Sequence, residues 1–344
     1  MKTITCMMGT CMMGVASAIG LLASTAQADT TLRLSTWLPA QHSLQTTGFE
    51  PWLAAITEAS GGSITSTIFP AQQLGSALDH YDIARDGIAD LSFVNPGYQP
   101  GRFPVISLGE QPFHVSNAVE GSVAFDRWYR EYAATEMPDI HYCMAFLQDP
   151  GTLHTVSEIL VPGDLAGKTI RPGNATMGRM LNLLGAASVQ VPAPEAREVI
   201  ARGAAEGITF PWDSIFLFGI DEETTYHLDM PLYSTTFVMA MNKDSYDGMS
   251  AEEKAVMDAH CTSEWAGKIA AGWAEKEASG RDRAIASQDH HVHVPSEAEM
   301  TAWKEATAPL LEEWHAEAKQ AGYDDQAIYD RFETEMSAAN ALGQ

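Results

Sequence analysis

Leu32, Leu34 and Thr36 recur at a period of two, and this first strand-like run ends at Trp37-Leu38-Pro39, with His42 in the loop beyond. Phe49, Trp52, Leu53 and Ile56 then fall on one helical face closed by Gly61-Gly62, with Pro51 expected in the first turn or at a kink. Ile64 to Phe69 is β-branched and reads as a strand, and Ala77 to Arg85 reads as a helix closed by Gly87. Ile88 to Val94 reads as a buried strand ending in the turn Asn95-Pro96-Gly97-Tyr98. The order β-α-β-α-β predicts a parallel sheet covered by helices. Ligands of such sheets bind beyond the C-terminal ends of the strands, which puts Trp37, His42, Asn95 and Tyr98 near one crevice.

The pattern then repeats. Val119 to Tyr132 is a predicted helix, and Ile140 to Leu147 a strand able to cross to a second domain. Asp149-Pro150-Gly151 turns the chain into a strand from Thr152 to Val156. Lys168 to Arg171 is a short β-like run, followed by the turn Pro172-Gly173-Asn174. Met177, Met180, Leu181 and Leu184 mark the helix after it, with Asn174 as its N-cap. A helix from Pro194 to Arg202 stops at Gly203, and the next strand ends in Phe210-Pro211-Trp212, which completes a second β-α-β-α-β unit. Tyr226 to Tyr233 and Thr236 to Met241 are strands able to return between domains. After Ser250 the chain is mainly helical, over 251–280, 296–320 and 324–341, with Trp303, Leu310, Leu311 and Trp314 on apolar faces. The expected organisation is a first α/β lobe over 29–150, a second over 151–240, and a C-terminal helical region over 241–344 packing across both.

Composition changes this picture at one end. Lys2, an uncharged apolar or small run from Ile4 to Ala23, and Ala26-Gln27-Ala28 together read as a secretory signal over 1–28 with cleavage before Asp29. A membrane anchor fits less well, because Gly, Ser and Thr dilute the segment. No later stretch is apolar over the roughly 18 residues that a membrane span needs, so no membrane insertion is expected after cleavage. Only Cys143 and Cys261 remain, and an oxidising compartment would permit a disulfide between them; the sequence leaves open whether they meet. The net charge of −25 makes nucleic acid and anionic membrane poor partners.

Candidate chemistry centres on Arg171. It stands at a strand end beside a helix N-terminus, where a guanidinium fork and exposed N–H groups suit a carboxylate or phosphate. A surface ion pair is the competing reading. Asn174 can add a donor or cap its helix, and Phe210 and Trp212 can supply an apolar wall or pack in the core. Trp37, Asn95, Tyr98 and His154 are further candidate ligand contacts. Asp289-His290-His291-Val292-His293 offers two imidazoles on one face if it is a strand, a weak zinc site with no evident third ligand, or else a solvated loop. No G-x-S-x-G, H-E-x-x-H, Walker A or G-x-G-x-x-G motif occurs, so neither an enzyme nor a cofactor is expected.

Three segments carry a family resemblance. Phe69-Pro70-Ala71-Gln72-Gln73-Leu74-Gly75 with Gly87-Ile88-Ala89-Asp90, Asp164-Leu165-Ala166-Gly167-Lys168-Thr169-Ile170-Arg171, and Gly203-Ala204-Ala205-Glu206-Gly207 occur in order behind the signal. The chain thus resembles the DctP-type extracytoplasmic solute-binding proteins of TRAP transporters. The resemblance implies a periplasmic-binding-protein fold, with two α/β domains joined by crossing strands around a ligand cleft, and long C-terminal helices. It implies capture of a small organic acid in the periplasm, delivery to a membrane permease, no catalysis, and Arg171 gripping the ligand carboxylate. Two departures bear on the ligand. Phe210 stands where many members have asparagine, and only His154 stands where dicarboxylate and sialic acid binders have another arginine. The expected ligand is a monocarboxylate with an apolar or aromatic body, or a hydroxy or keto acid. An ABC-type binding protein and a metal-binding protein using His290, His291 and His293 are the alternatives.

Overall fold

The computed structural model describes residues 30–343, so the expected signal segment over 1–28 lies outside the described residues. Eleven strands are named here: β1 (Thr30–Ser35), β2 (Ile64–Phe69), β3 (Leu91–Val94), β4 (His141–Leu147), β5 (Thr152–Thr155), β6 (Thr169–Ile170), β7 (Ala187–Ser188), β8 (Gly207–Phe210), β9 (Tyr226–Leu228), β10 (Thr236–Met241) and β11 (His291–His293). The first sheet has the order β2-β1-β3-β10-β4. β1 pairs in parallel with β2 and β3, as the β-α-β-α-β pattern requires, and β10 inserts antiparallel between β3 and β4.

The second sheet has the order β11-β9-β5-β8. A parallel bridge from Arg171 to Ile208 joins the parallel pair β6-β7 to β8. Read through that bridge, β7-β6-β8-β5 repeats β2-β1-β3-β10: three parallel neighbours, then one antiparallel strand that arrived from the other lobe. The exchange of β5 and β10 ties the lobes through two backbone crossings, and Gly151 bridges Tyr233 where the crossings pass.

Elsewhere local chemistry shortens or breaks the expected elements. The strand expected over 88–94 begins only at Leu91. Gly87 adopts φ +67° and Ile88 N–H donates to Ile83 O, so the helix closure extends past the glycine and Ile88 is exposed. Asp90 then pairs with Arg33 Nε at 2.9 Å. β9 stops at Leu228 because Asp229 turns to pair with Arg281. The helix expected over 251–280 is two helices, Ala251–His260 and Ser263–Ala286, restarted by Thr262 as N-cap. Pro309, which has no N–H to donate, divides the next pair, Glu297–Thr307 and Pro309–Gln320.

Cys143 in β4 and Cys261 at the helix break are joined by a disulfide across 118 residues. The 24-residue helix Ser263–Ala286 packs on helix Val119–Tyr129 and β4, and farther along on helix Trp212–Leu217 and β11. There is no room for a side chain at the second crossing, since a Cβ on Gly280 would meet the Asp213 backbone at 2.3 Å. Glu277 from the same helix accepts from the N–H groups of Asp213 and Ser214, satisfying orphan donors at the start of helix Trp212–Leu217. Trp303 and Leu310 pack with Leu153, Ile170 and Met177, whereas Trp314, Phe332 and Met336 pack with Phe125 and Trp128.

Candidate functional site

The stretch around Arg171 folds as its residues dictate. The Arg171 backbone donates to Gly207 O and accepts from Thr209 N–H, which seats it between β6 and β8. Asn174, extended at φ −152°, caps helix Ala175–Leu183 by accepting from Met177 N–H at 2.9 Å. Gly173 lies so close to Tyr233 that a Cβ there would sit 2.7 Å from the phenol oxygen.

Arg171 is fully buried. Its Nε donates to Val191 O at 3.0 Å and its Nη2 to the Tyr98 hydroxyl at 3.4 Å, while Nη1 has no partner. Tyr98 belongs to the first lobe, yet its hydroxyl also accepts from Ala193 N–H at 2.9 Å in the second. The Phe210 ring lies 5.5 Å from the guanidinium carbon. Among the described residues no carboxylate stands within ion-pair distance of Arg171. A buried, uncompensated cation is strongly unfavourable unless an anion joins it.

Arg171 faces a cavity of about 30 Å³ between the two sheets, and Trp37, Asn95, Tyr98 and Phe210 line it as well. Aromatic side chains dominate the wall: Trp37 stacks on Phe93 at 5.1 Å, and Phe237 lies between Phe93 and Trp273. His42 lines the same space. Its Nδ1 accepts from Leu44 N–H, so the proton resides on Nε2, and burial pushes its pKa down to about 3. It is a neutral donor at pH 7. The wall also holds Gln148, Tyr233, Thr235 and Trp273, which the sequence did not single out. Gln148 and the pair Tyr233 and Thr235 sit on the two crossing segments, so strand-end position in the parallel unit could have pointed to the crossings but not to these residues.

Three sequence candidates lie elsewhere. Asn174 is buried beside the cavity, where its amide donates to Ser234 O and Thr235 Oγ1. His154 is buried on β5 opposite Ile208, with Trp212 packed edge-on against its ring. His154 Nε2 lies 3.1 Å from Phe210 O, an acceptor only, so this nitrogen carries the proton. His154 Nδ1 must then accept from His227 Nδ1 at 2.7 Å, and His227 Nε2 from His290 Nδ1 at 2.8 Å. Burial holds His154 down to about 3 and His227 to about 2, so this row of imidazoles is neutral. The metal-binding alternative gains no support. His291 and His293 share a face of β11 as expected, but His290 is committed to His227 and His293 to Glu299. No group of three or more His, Cys, Asp or Glu able to hold a metal occurs among the described residues. A larger crevice of about 490 Å³ beside β9 and β11 contains Arg281, already neutralised by Asp229.

One buried carboxyl joins the lobes beside the cavity. Glu110 accepts from Thr176 Oγ1 in the second lobe and from Thr236 Oγ1 on β10, both at 3.1 Å. Burial pushes its pKa up to about 7 against an ordinary 4.5. A raised carboxyl contributes stability that is full below about pH 4.5 and is lost as pH rises through about 7. The shift corresponds to about 3 kcal/mol. Glu110→Gln is therefore expected to flatten part of the fall in the urea midpoint between pH 4.5 and 7.5, a difference read against the parent protein across that range. Parallel curves would show that Glu110 does not titrate differently in the folded chain.

Residues 35–318 match the family of bacterial extracellular solute-binding proteins, family 7, also called DctP. The chain belongs to this family, whose members are solute-binding receptors and not enzymes. A TRAP solute-binding protein from Rhodoferax ferrireducens T118, solved with copurified benzoate, superposes with a TM-score of 0.86 at 28% identity over 90% of this chain and 98% of its own. A relative from Bordetella bronchiseptica with bound (R)- and (S)-mandelate gives 0.84 at 27% identity over 90% and 99%. A marine metagenome protein in complex with 3-hydroxybenzoate gives 0.85 at 28% identity over 90% and 99%. The mixed α/β architecture with long C-terminal helices is theirs. No described helix is long and apolar enough to cross a membrane.

Proposed function

We propose that this chain is the periplasmic receptor of a TRAP transporter, exported by the segment over 1–28, and that it delivers a small aromatic monocarboxylate to the membrane permease. The observation that carries this reading is Arg171: buried, without a counter-ion, and with Nη1 free toward a cavity walled by aromatic rings. One cation suits one carboxylate, and among the described residues the wall holds no second cation, which disfavours a dicarboxylate. The acids held by the three relatives are of this kind.

Trp37, Asn95, Tyr98, Arg171 and Phe210 are the proposed contacts; Asn174, Trp212 and His154 support the site from behind. Two lobes, over 29–150 and 151–240, closed by the helical region over 241–344, fit the packing of Trp303 on one core and Phe332 on the other, with β10 passing back into the first sheet. The cavity is about 30 Å³, and one water needs about 10–15 Å³, so a benzoate-sized ligand enters only when the lobes part. The ligand then drives closure by binding the closed form more tightly.

A thermal-shift screen of the mature protein against small carboxylates, with sugars, amines and metals as controls, tests this. A ligand at 100 times its Kd adds about 2.7 kcal/mol, enough for a visible rise in Tm. Aromatic monocarboxylates are expected to give the largest shifts. A dicarboxylate that outbinds every monocarboxylate would overturn the ligand class.

A further inference from the structure

We infer that the bound acid also carries a hydroxyl, and that Asn95 is the residue that selects for it. This rests on the carboxylate reading and sharpens it. Five buried polar atoms of residues that line the cavity meet no partner at good hydrogen-bond geometry: Trp37 Nε1, Asn95 Oδ1, Gln148 Nε2, Arg171 Nη1 and Tyr233 Oη, with the Gln148 amide lying against the Tyr233 hydroxyl. Trp37 Nε1, Gln148 Nε2 and Arg171 Nη1 are donors only, and the Tyr233 hydroxyl can donate. A carboxylate is acceptor-only with about four lone-pair positions, so it can satisfy these donors.

Two of them converge on the arginine. Tyr233 packs on Gly173, two residues from Arg171, and a Cβ on Gly151 would meet both Gln148 Nε2 at 2.8 Å and the Tyr233 ring at 2.9 Å. Gln148, Tyr233 and Arg171 thus form one carboxylate seat.

Asn95 Oδ1 is the exception. It is an acceptor, the residue is only 3% exposed, and no carboxylate can bond to it. Rotating the amide by 180° exchanges Oδ1 with Nδ2 but does not remove the demand, because neither atom bonds to a described residue. Whichever way it turns, the amide offers one acceptor and donors to the ligand. A hydroxyl meets both needs, since it donates and accepts. Trp37, from the end of the neighbouring parallel strand β1, adds a second unpaired donor on this side. An acid without a hydroxyl leaves the amide buried and unpaired, which is how polar pockets reject analogues lacking a polar group.

The test is calorimetric titration of the mature protein and of Asn95→Leu with two sets of acids. One set is benzoate and its three monohydroxy isomers; the other is phenylacetate and mandelate. In the parent protein at least one hydroxy acid is expected to bind about tenfold or more tightly than its unsubstituted counterpart. In Asn95→Leu that ratio is expected to fall to within about twofold, with folding checked separately by far-ultraviolet circular dichroism and a urea midpoint. Asn95→Ala serves as a second variant should the leucine disturb the fold. Equal binding within both sets in the parent protein overturns the inference while the carboxylate reading stands, and identifies water as the partner of Asn95. A ratio that persists in both variants overturns it by placing the selection elsewhere. Failure of every acid to bind the parent protein overturns both readings together.

Discussion

Arg171→Ala is expected to reduce ligand affinity below detection while leaving a folded protein. Truncating one partner of a buried, hydrogen-bonded ion pair costs roughly 2–5 kcal/mol. That is about 30-fold to several thousand-fold, against the total of about −8 kcal/mol that a micromolar ligand has available. The variant also leaves Val191 O without its side-chain donor and Tyr98 without Nη2, so some loss of stability is expected. Removing an uncompensated buried cation opposes that loss in the free protein. Far-ultraviolet circular dichroism and a urea midpoint separate folding from binding. Arg171→Lys is expected to bind poorly as well, since an ammonium cannot serve Val191 O, Tyr98 and a carboxylate through one planar fork. Near-native affinity in the alanine variant would move the carboxylate to other donors and end the assignment.

Breaking the disulfide is expected to lower Tm substantially. Cys143 and Cys261 are 118 residues apart, and the chain-entropy treatment gives about 4–5 kcal/mol for a loop of this size. At an unfolding entropy of about 2.1 cal/mol/K per residue, for a chain of 344 residues less the 28 of the expected signal, this is a fall of roughly 6–8 °C. The measurement compares oxidised protein, the same protein with reductant present, and the double variant Cys143→Ala/Cys261→Ala. Reduced and doubly substituted forms should coincide. A Tm unmoved by reductant, together with two free thiols by titration in the oxidised sample, would show that the bridge does not form.

The parallel cores were legible because their strands are short, apolar and set between helices with clear glycine stops. Gly87 and Gly203 end helices as expected, both at positive φ. Where reading failed, a side chain's long-range partner had overridden local pattern. Asp90 and Asp229 turn toward distant arginines and shorten β3 and β9. On the cavity wall, Trp37, His42, Asn95 and Tyr98 were legible from the geometry of parallel strand ends, and Arg171 from the helix beside it. Gln148, Tyr233 and Trp273 were not, because they come from crossing segments and mid-helix, where only the three-dimensional register selects the inward face. His154 shows the same limit. Its register with β8 puts His154 on the same face as Phe210 but one pair farther along the strand, and its imidazole turns toward His227, not the cavity.

Viewed as a covalent graph and not as two packed lobes, the molecule is a closed ring with two tails. The ring runs from Cys143 through every strand of the second sheet except β11, back along β10, to Cys261. A protease that nicks any loop inside the ring opens it without releasing a fragment. The severed ends stay tethered beside β4, at the high local concentration that favours re-docking. A single cut inside the ring thereby leaves β5, β8 and β9 covalently attached to the first sheet.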